Sequence, residues 1–200
     1  MISVEDHGEN NVVEVPAEYL AMQNGRFMFL GSNNRLVLGK GCTSKGVGFT
    51  LGDNCNVVIG NNCQLAAFKV FMKHGGHVGI GDNVAFTWET KIFLHEHGSV
   101  RIGPHCLIGS GSLLTCSDMH SIIDLDSGRR INASQNIAIG EHVWIGEDVK
   151  VLKGAVIGDD CVIGMSSIVT KEIPPNCVAA GVPARVVRKG VTWDHRLLPT

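Results

Sequence analysis

The sequence predicts an all-β fold, a parallel β-helix of triangular cross-section, on three observations. Between Ile137 and Val169 deep aliphatic positions recur every six residues, at Ile139, Ile145, Val151, Ile157, Ile163 and Val169. Repeats open on an aliphatic residue followed by glycine, as in "IGEHV", "IGEDV", "IGDDC" and "IGMSS". The same unit returns upstream in "LGKGC" at 38, "LGDNC" at 51, "IGNNC" at 59, "IGDNV" at 80 and "IGPHC" at 102. A helix would repeat its apolar face at three and four residues and a half-buried strand at two, so six satisfies neither. It suits short strands joined by tight turns, each burying one aliphatic side chain before the chain bends. Stacked repeats of this kind build a β-helix.

The upstream units are more widely spaced. Leu38, Ile59, Ile80 and Ile102 are 21, 21 and 22 residues apart, against 18 for three hexapeptides, so each turn is expected to carry three or four extra residues at a corner. Roughly seven turns then fill residues 28–184, with residues 1–27 an N-terminal extension and residues 185–200 a C-terminal tail. Glycines 140, 146, 158 and 164 suit a sharp turn or a close approach of two backbones. The fifth position is small or modest (Val143, Val149, Ala155, Cys161, Ser167), as a tight inward corner requires. Cys42, Cys55, Cys63, Cys106 and Cys161 all fall on it and read as reduced packing thiols, not disulfides or metal ligands.

Composition narrows the function. A formal net charge of −2 with no basic run gives no case for a nucleic-acid partner. The acidic start "MISVEDHGENN" lacks a secretion signal, and no window approaches the ~18 apolar residues of a membrane span. A soluble, cytoplasmic protein is expected. P-loop, GxGxxG and GxSxG patterns do not occur.

The register breaks once. Ile102, Ile108 and Leu114 keep step, and the next clear repeat begins at Ile139, 25 residues on. A protruding loop is therefore expected at about 115–136, where "TCSDMHSIIDLDSGRRINASQN" is polar and charged. Insertions into a regular scaffold are functional more often than they are bare connectors. His120 stands near its start. Cys116 is close by in sequence, but nothing shows that it faces the same way. Trp144 precedes the inward Ile145 and so faces outward, against the loop, a neighbouring subunit or a ligand.

The hexapeptide run together with "DMH", "VWIG", "GMSSIVTKEIP" and "AAGVPARVVR" resembles the hexapeptide-repeat acyltransferases. Within them it is most similar to acetyl-CoA-dependent sugar and capsular polysaccharide O-acetyltransferases. The resemblance implies a left-handed coil and a homotrimer with active sites between subunits. It implies acetyl-CoA as co-substrate, no required metal, and a sugar or polysaccharide acceptor. His120 in "DMH" would be the general base and Trp144 the wall for the thioester. An imidazole suits the task because a useful fraction is neutral near pH 7, and such general-base help contributes ~10² to 10⁴ in rate. Asp118 or a backbone carbonyl would orient the ring. Met165 would line the pantetheine, while Thr170, Lys171, Arg185 and Arg188 would meet the nucleotide end. Glu89 and His95, in "FTWETKIFLHEHG", would touch the acceptor, although this stretch departs from the family's Asn/Asp pattern.

Three rivals stand beside this reading. The pairs His74/His77 and His95/His97 allow a zinc enzyme, but no two histidines have the five-residue spacing that β-helical carbonic anhydrases use. A non-catalytic β-helical assembly protein would keep the coil without the reaction. An acetyltransferase for an antibiotic or a free sugar would keep the reaction with another acceptor.

Overall fold

The computed structural model describes residues 1–22 and 24–199. Its strands form three sheets of eight, seven and eight members that enclose one core as the faces of a prism. The first face comprises Ile2–Asp6, Gly25–Phe29, Val47–Asp53, Lys69–His74, Lys91–Leu94, Leu113–Thr115, Lys150–Leu152 and Ile168–Val169. The second comprises Val12–Glu14, Arg35–Leu38, Asn56–Ile59, Gly76–Ile80, Gly98–Ile102, Ile137–Ile139 and Val156–Ile157. The third comprises Thr43–Lys45, Gln64–Ala66, Ala85–Phe86, Leu107–Ile108, Trp144–Ile145, Val162–Ile163, Cys177–Gly181 and Ala184–Lys189. Every pairing is parallel except that of the last two strands, which is antiparallel and closes the stack.

Successive residues of the six-period land on successive faces. Ile139 lies on the second face, Ile145 on the third and Val151 on the first, and all are at most 4% exposed. Along one face they stack: Leu38, Ile59, Ile80, Ile102, Ile139 and Ile157 are register partners on consecutive turns. Each buried aliphatic side chain stabilises the coil by roughly 1.5–3 kcal/mol. The stack therefore holds itself together one turn at a time.

Four expectations change in detail. The coil makes about eight turns, not seven. Residues 1–27 are not a free extension: Ile2–Asp6 pairs with Gly25–Phe29 and Val12–Glu14 with Arg35–Leu38. The short helix Ala17–Met22 follows, and its buried Tyr19 joins the end of the core. Their irregular sequence hid them, because this turn does not use the aliphatic–glycine unit. The extra residues of the upstream turns lengthen strands, to seven residues in Val47–Asp53 and six in Lys69–His74, against two or three downstream. The wider turns are filled by a phenylalanine ladder, Phe27, Phe49, Phe68 and Phe86, with successive ring centroids 5.2, 6.1 and 4.2 Å apart. Finally, the expected C-terminal tail, residues 185–200, begins within a strand, Ala184–Lys189.

The corners assign the turn to a different residue from the glycine. Positive φ falls on the fourth position of the unit, at Asn54, Asn62, Asn83, His105, His142, Asp148 and Asp160. Asn and Asp tolerate this conformation better than most side chains. The glycines instead allow close approach of adjacent turns. A Cβ on Gly103 would sit 2.5 Å from the carbonyl oxygen of Gly140. All seven cysteines are buried and unbridged, and Cys63 and Cys106 donate from Sγ to the carbonyls of Gly81 and Gly140 at 3.2 Å. Among the described residues no helix is long and apolar enough to cross a membrane.

Candidate active site

The loop leaves the prism at the edge between the first and second faces, after Thr115 and before Ile137. It folds into a small hairpin, with Ile123 bridging Arg130 and the Ile131 amide donating to the Ile122 carbonyl at 2.9 Å. Its hub is Asn132, only 6% exposed. Oδ1 of Asn132 accepts from the Ile122 amide at 2.8 Å and from Arg130 Nε at 3.0 Å. Its Nδ2 donates to Asp118 Oδ2 at 2.9 Å and to the carbonyl of His120 at 2.7 Å. A second anchor comes from the turn below, where Arg130 forks onto both oxygens of Glu96 at 2.6 and 2.7 Å. Ser117 Oγ also donates to Glu96, and Lys153 from the turn above donates to Asp118.

These cations set the local electrostatics. Arg130, then the Ser117 hydroxyl, holds the Glu96 carboxyl down at about 2. Lys153, then Asn132, holds Asp118 below the ordinary aspartate range. His120 is exposed at the rim of this network. The carboxylate of Asp118 is turned to Asn132 and Lys153, so it fixes the His120 backbone through Asn132. Met119, Ile122, Ile123, Leu125 and Ile131 expose apolar surface on the loop that carries the histidine, with Leu125 95% exposed.

Trp144 lies on the third face, 41% exposed as its outward register predicts. It flanks a groove of about 410 Å³ lined chiefly by Leu107, Trp144, Val162 and Met165, with Gly109, Gly146 and Gly164 along its corner. Side chains are barred from that corner: a Cβ on Gly109 would lie 2.6 Å from the Gly146 carbonyl carbon, and one on Gly146 would lie 2.7 Å from the Met165 amide. The groove is thus apolar on its walls and exposes backbone on its floor. Leu107, Trp144, Val162, Val178 and Arg188 are successive register partners along this face. At ~4.8 Å per turn, Arg188 stands about 14 Å beyond Trp144 in the same line. Arg185 is on the same strand, opposite Ala180.

On its other side Trp144 meets the tail. Trp193 is buried, donates from Nε1 to the His142 carbonyl at 2.7 Å and stacks on the His142 ring at 4.7 Å. Its centroid is 5.9 Å from that of Trp144. Asp160 accepts from Thr192 Oγ1 at 2.8 Å and lies 2.8 Å from His142 Nδ1. His142, then Thr192, lowers the Asp160 carboxyl. This strap, formed by the C-terminal tail, holds one flank of the indole.

The residues read from the sequence therefore fall into two groups. Asp118 and His120 occupy the loop edge, and Thr170 and Lys171 follow the first-face strand Ile168–Val169 onto that same edge. Trp144, Met165, Arg185 and Arg188 occupy the third face. Glu89 lies between Ala85–Phe86 and Lys91–Leu94, at the edge between the third and first faces, while His95 belongs to the loop side. Within one copy, then, the histidine edge lies across the prism from the tryptophan face. Cys116 points into the core, and burial pushes its thiol up to about 11, which removes it as a nucleophile. His95 packs at a tilt against Phe71 and edge-on to Phe93, and among the described residues no three metal-ligating side chains converge.

Similarity to known proteins agrees with this architecture. The family pattern described as bacterial transferase hexapeptide (six repeats) matches residues 136–171. A polysialic acid O-acetyltransferase of Neisseria meningitidis is 30% identical over 170 residues, covering 74% of this chain and 79% of that protein. One from Escherichia coli O1:K1 is 33% identical over 95 residues, covering 48% of this chain but only 31% of that longer protein. The crystal structure of the polySia-specific acetyltransferase NeuO superposes with a TM-score of 0.84 at 30% identity, covering 98% of this chain and 89% of that one. The chain belongs to the hexapeptide-repeat acyltransferases. Its coil has the left hand of these acyltransferases, opposite to ordinary parallel crossovers.

Within this acyltransferase the sequence reading missed Glu96, Arg130, Asn132 and Lys153, which fasten the histidine loop from three different segments. Only the tryptophan in "TWDH" hinted at the strap, since an indole in a polar tail is unusual.

Proposed function

We propose that this acyltransferase moves an acetyl group from acetyl-CoA to a hydroxyl of a cell-surface or capsular polysaccharide, or its precursor, at sites between the copies of a homotrimer. One observation carries the reading: every candidate residue except Glu89 lies either on the loop edge or on the third face, and neither set is complete. A neighbouring copy that laid its loop edge on this groove would bring His120, Thr170 and Lys171 to Trp144, Met165, Arg185 and Arg188. The exposed apolar side chains of the His120 loop match the apolar groove they would cover. Cyclic assemblies use such heterologous contacts to build identical composite sites.

The chemistry follows from those positions. The pantetheine arm lies in the groove and sets the thioester against the Trp144 indole. Arg188 and Arg185, in line at its far end, receive the phosphates, joined by Lys171 from the neighbour. The neutral imidazole of His120 takes the proton of the acceptor hydroxyl as its oxygen attacks the acetyl carbonyl. The tetrahedral intermediate collapses with loss of the CoA sulfur, to which the imidazolium returns the proton. Asn132 and Asp118 hold the His120 backbone during the exchange. Acetyl-CoA is a cytoplasmic metabolite, which supports a cytoplasmic site of action.

The test is a mixed assembly. His120→Ala and Trp144→Ala copies, co-assembled, regain activity because some interfaces pair an intact histidine with an intact tryptophan. Random mixing restores about a quarter of the sites. CoA release no greater than that of the two parents would sink the shared site.

A further inference from the structure

The proposed chemistry leaves one surface unused. Outward positions of the first face carry Lys69, Lys73, Lys91 and Lys150; Lys69 and Lys91 are register partners, and Lys150 continues their row beyond Leu113. Aromatic rings run beside them. Phe71 and Phe93 pack edge-on at 6.2 Å, and the His95 ring lies 5.0 Å from Phe71 and 6.0 Å from Phe93. The strands Lys69–His74, Lys91–Leu94, Leu113–Thr115 and Lys150–Leu152 contain no carboxylate. Among the described residues, none of the four ammonium groups forms an ion pair. On a chain whose net charge is −2, this is a local concentration of positive charge. The row also leads to the loop: Glu96, next to His95, holds Ser117 and Arg130, and His120 follows Ser117 by three residues.

We propose that this face is the acceptor track, binding an extended carboxylate-bearing polysaccharide along the prism axis and delivering one of its units to His120. Successive turns are about 4.8 Å apart, comparable with one glycosyl unit, so lysines on neighbouring turns meet charges on neighbouring units. Phe71 and Phe93 offer apolar faces to the sugar rings between those charges. Burial and Lys73 lower the His95 pKa, which leaves that ring neutral and free to accept or donate to hydroxyls. A second copy of the chain is a poor occupant, because lysine is depleted from the cores of protein interfaces. The proposal rests on the acetyl-transfer reading for the final step but not for binding.

The experiment measures binding and turnover separately. Fluorescently labelled polysialic acid, polygalacturonate and neutral dextran are titrated against wild type and K69E/K91E, with K69Q/K91Q as a milder pair and thermal melting as the folding control. Wild type should bind both acidic chains and not dextran, with affinity falling steeply as salt rises. K69E/K91E should weaken that binding by roughly tenfold or more and flatten the salt dependence. In turnover, the KM for an acidic acceptor should rise while that for acetyl-CoA stays constant. Equal binding of dextran, no binding of either acid chain at low salt, or folded variants that bind as wild type would each overturn the track. Lysine-dependent binding without CoA release would keep the track and remove the acetyl-transfer reading.

Discussion

On the loop edge His120 is set by charged and amide groups, Glu96 to Arg130 and Asp118 to Asn132 and Lys153, whereas on the third face Trp144 is set by rings and bare backbone. The difference follows from what each half must hold. An exposed loop has no core of its own, so directional bonds to the prism must fix it, and they come from the turns on either side. A groove for a long flexible arm needs the opposite: smooth apolar walls and a corner without side chains. Glycine at 109, 146 and 164 supplies that corner, with Trp193 bracing the indole from behind.

The contrast can be broken one side at a time. The largest effect is expected from His120→Ala, which removes the base without touching the groove. Turnover should fall by ~10² to 10⁴ while acetyl-CoA binding, followed by tryptophan fluorescence, is retained. Retained turnover would end the assignment of the base. Next comes Asn132→Ala, which strands the Ile122 amide and cuts the link from Asp118 to the His120 carbonyl, leaving Asp118 to Lys153 alone. A buried unsatisfied group costs about 1–3 kcal/mol, so kcat should drop roughly tenfold, loop proteolysis should accelerate, and the KM for acetyl-CoA should not move. A change confined to melting temperature would make the hub merely structural.

On the groove side, Arg188→Ala should raise the KM for acetyl-CoA several-fold, as expected for an exposed charge-assisted contact, with kcat little altered. An equal loss with acetyl-pantetheine, which lacks the nucleotide, would contradict the placement. The smallest effect is expected from acid. The Glu96 carboxyl is held at about 2 against an ordinary 4.5, so its anchoring is complete above 4.5 and fades as pH falls toward 2. Loop proteolysis by an acid-active protease should therefore quicken between pH 5 and pH 3 in wild type and less steeply in Glu96→Gln, where Asp118 is the remaining anchor that titrates.

Much of the scaffold was legible because its code is local. One aliphatic residue, one glycine and one small corner residue specify a strand and a bend, and repetition does the rest. The loop was legible as a failure of that code, and His120 as the residue type in it suited to proton transfer. Asn132 was not, since an asparagine in a polar loop looks solvated until the fold wraps Arg130, Asp118 and Ile122 around it. Glu96 was hidden for the same reason, 34 residues from the arginine it holds.

The sequence by itself determined the coil, the inward face of each strand, the place of the protrusion and the outward aim of Trp144. These depend on neighbours within a few residues, and short-range sterics with burial decide them. Only the tertiary structure decided which edge or face each functional residue reaches. That depends on how many residues each turn holds, and it separated His120 from Trp144 by the width of the prism. The same winding lined up lysines from three separate strands and locked the tail behind the indole.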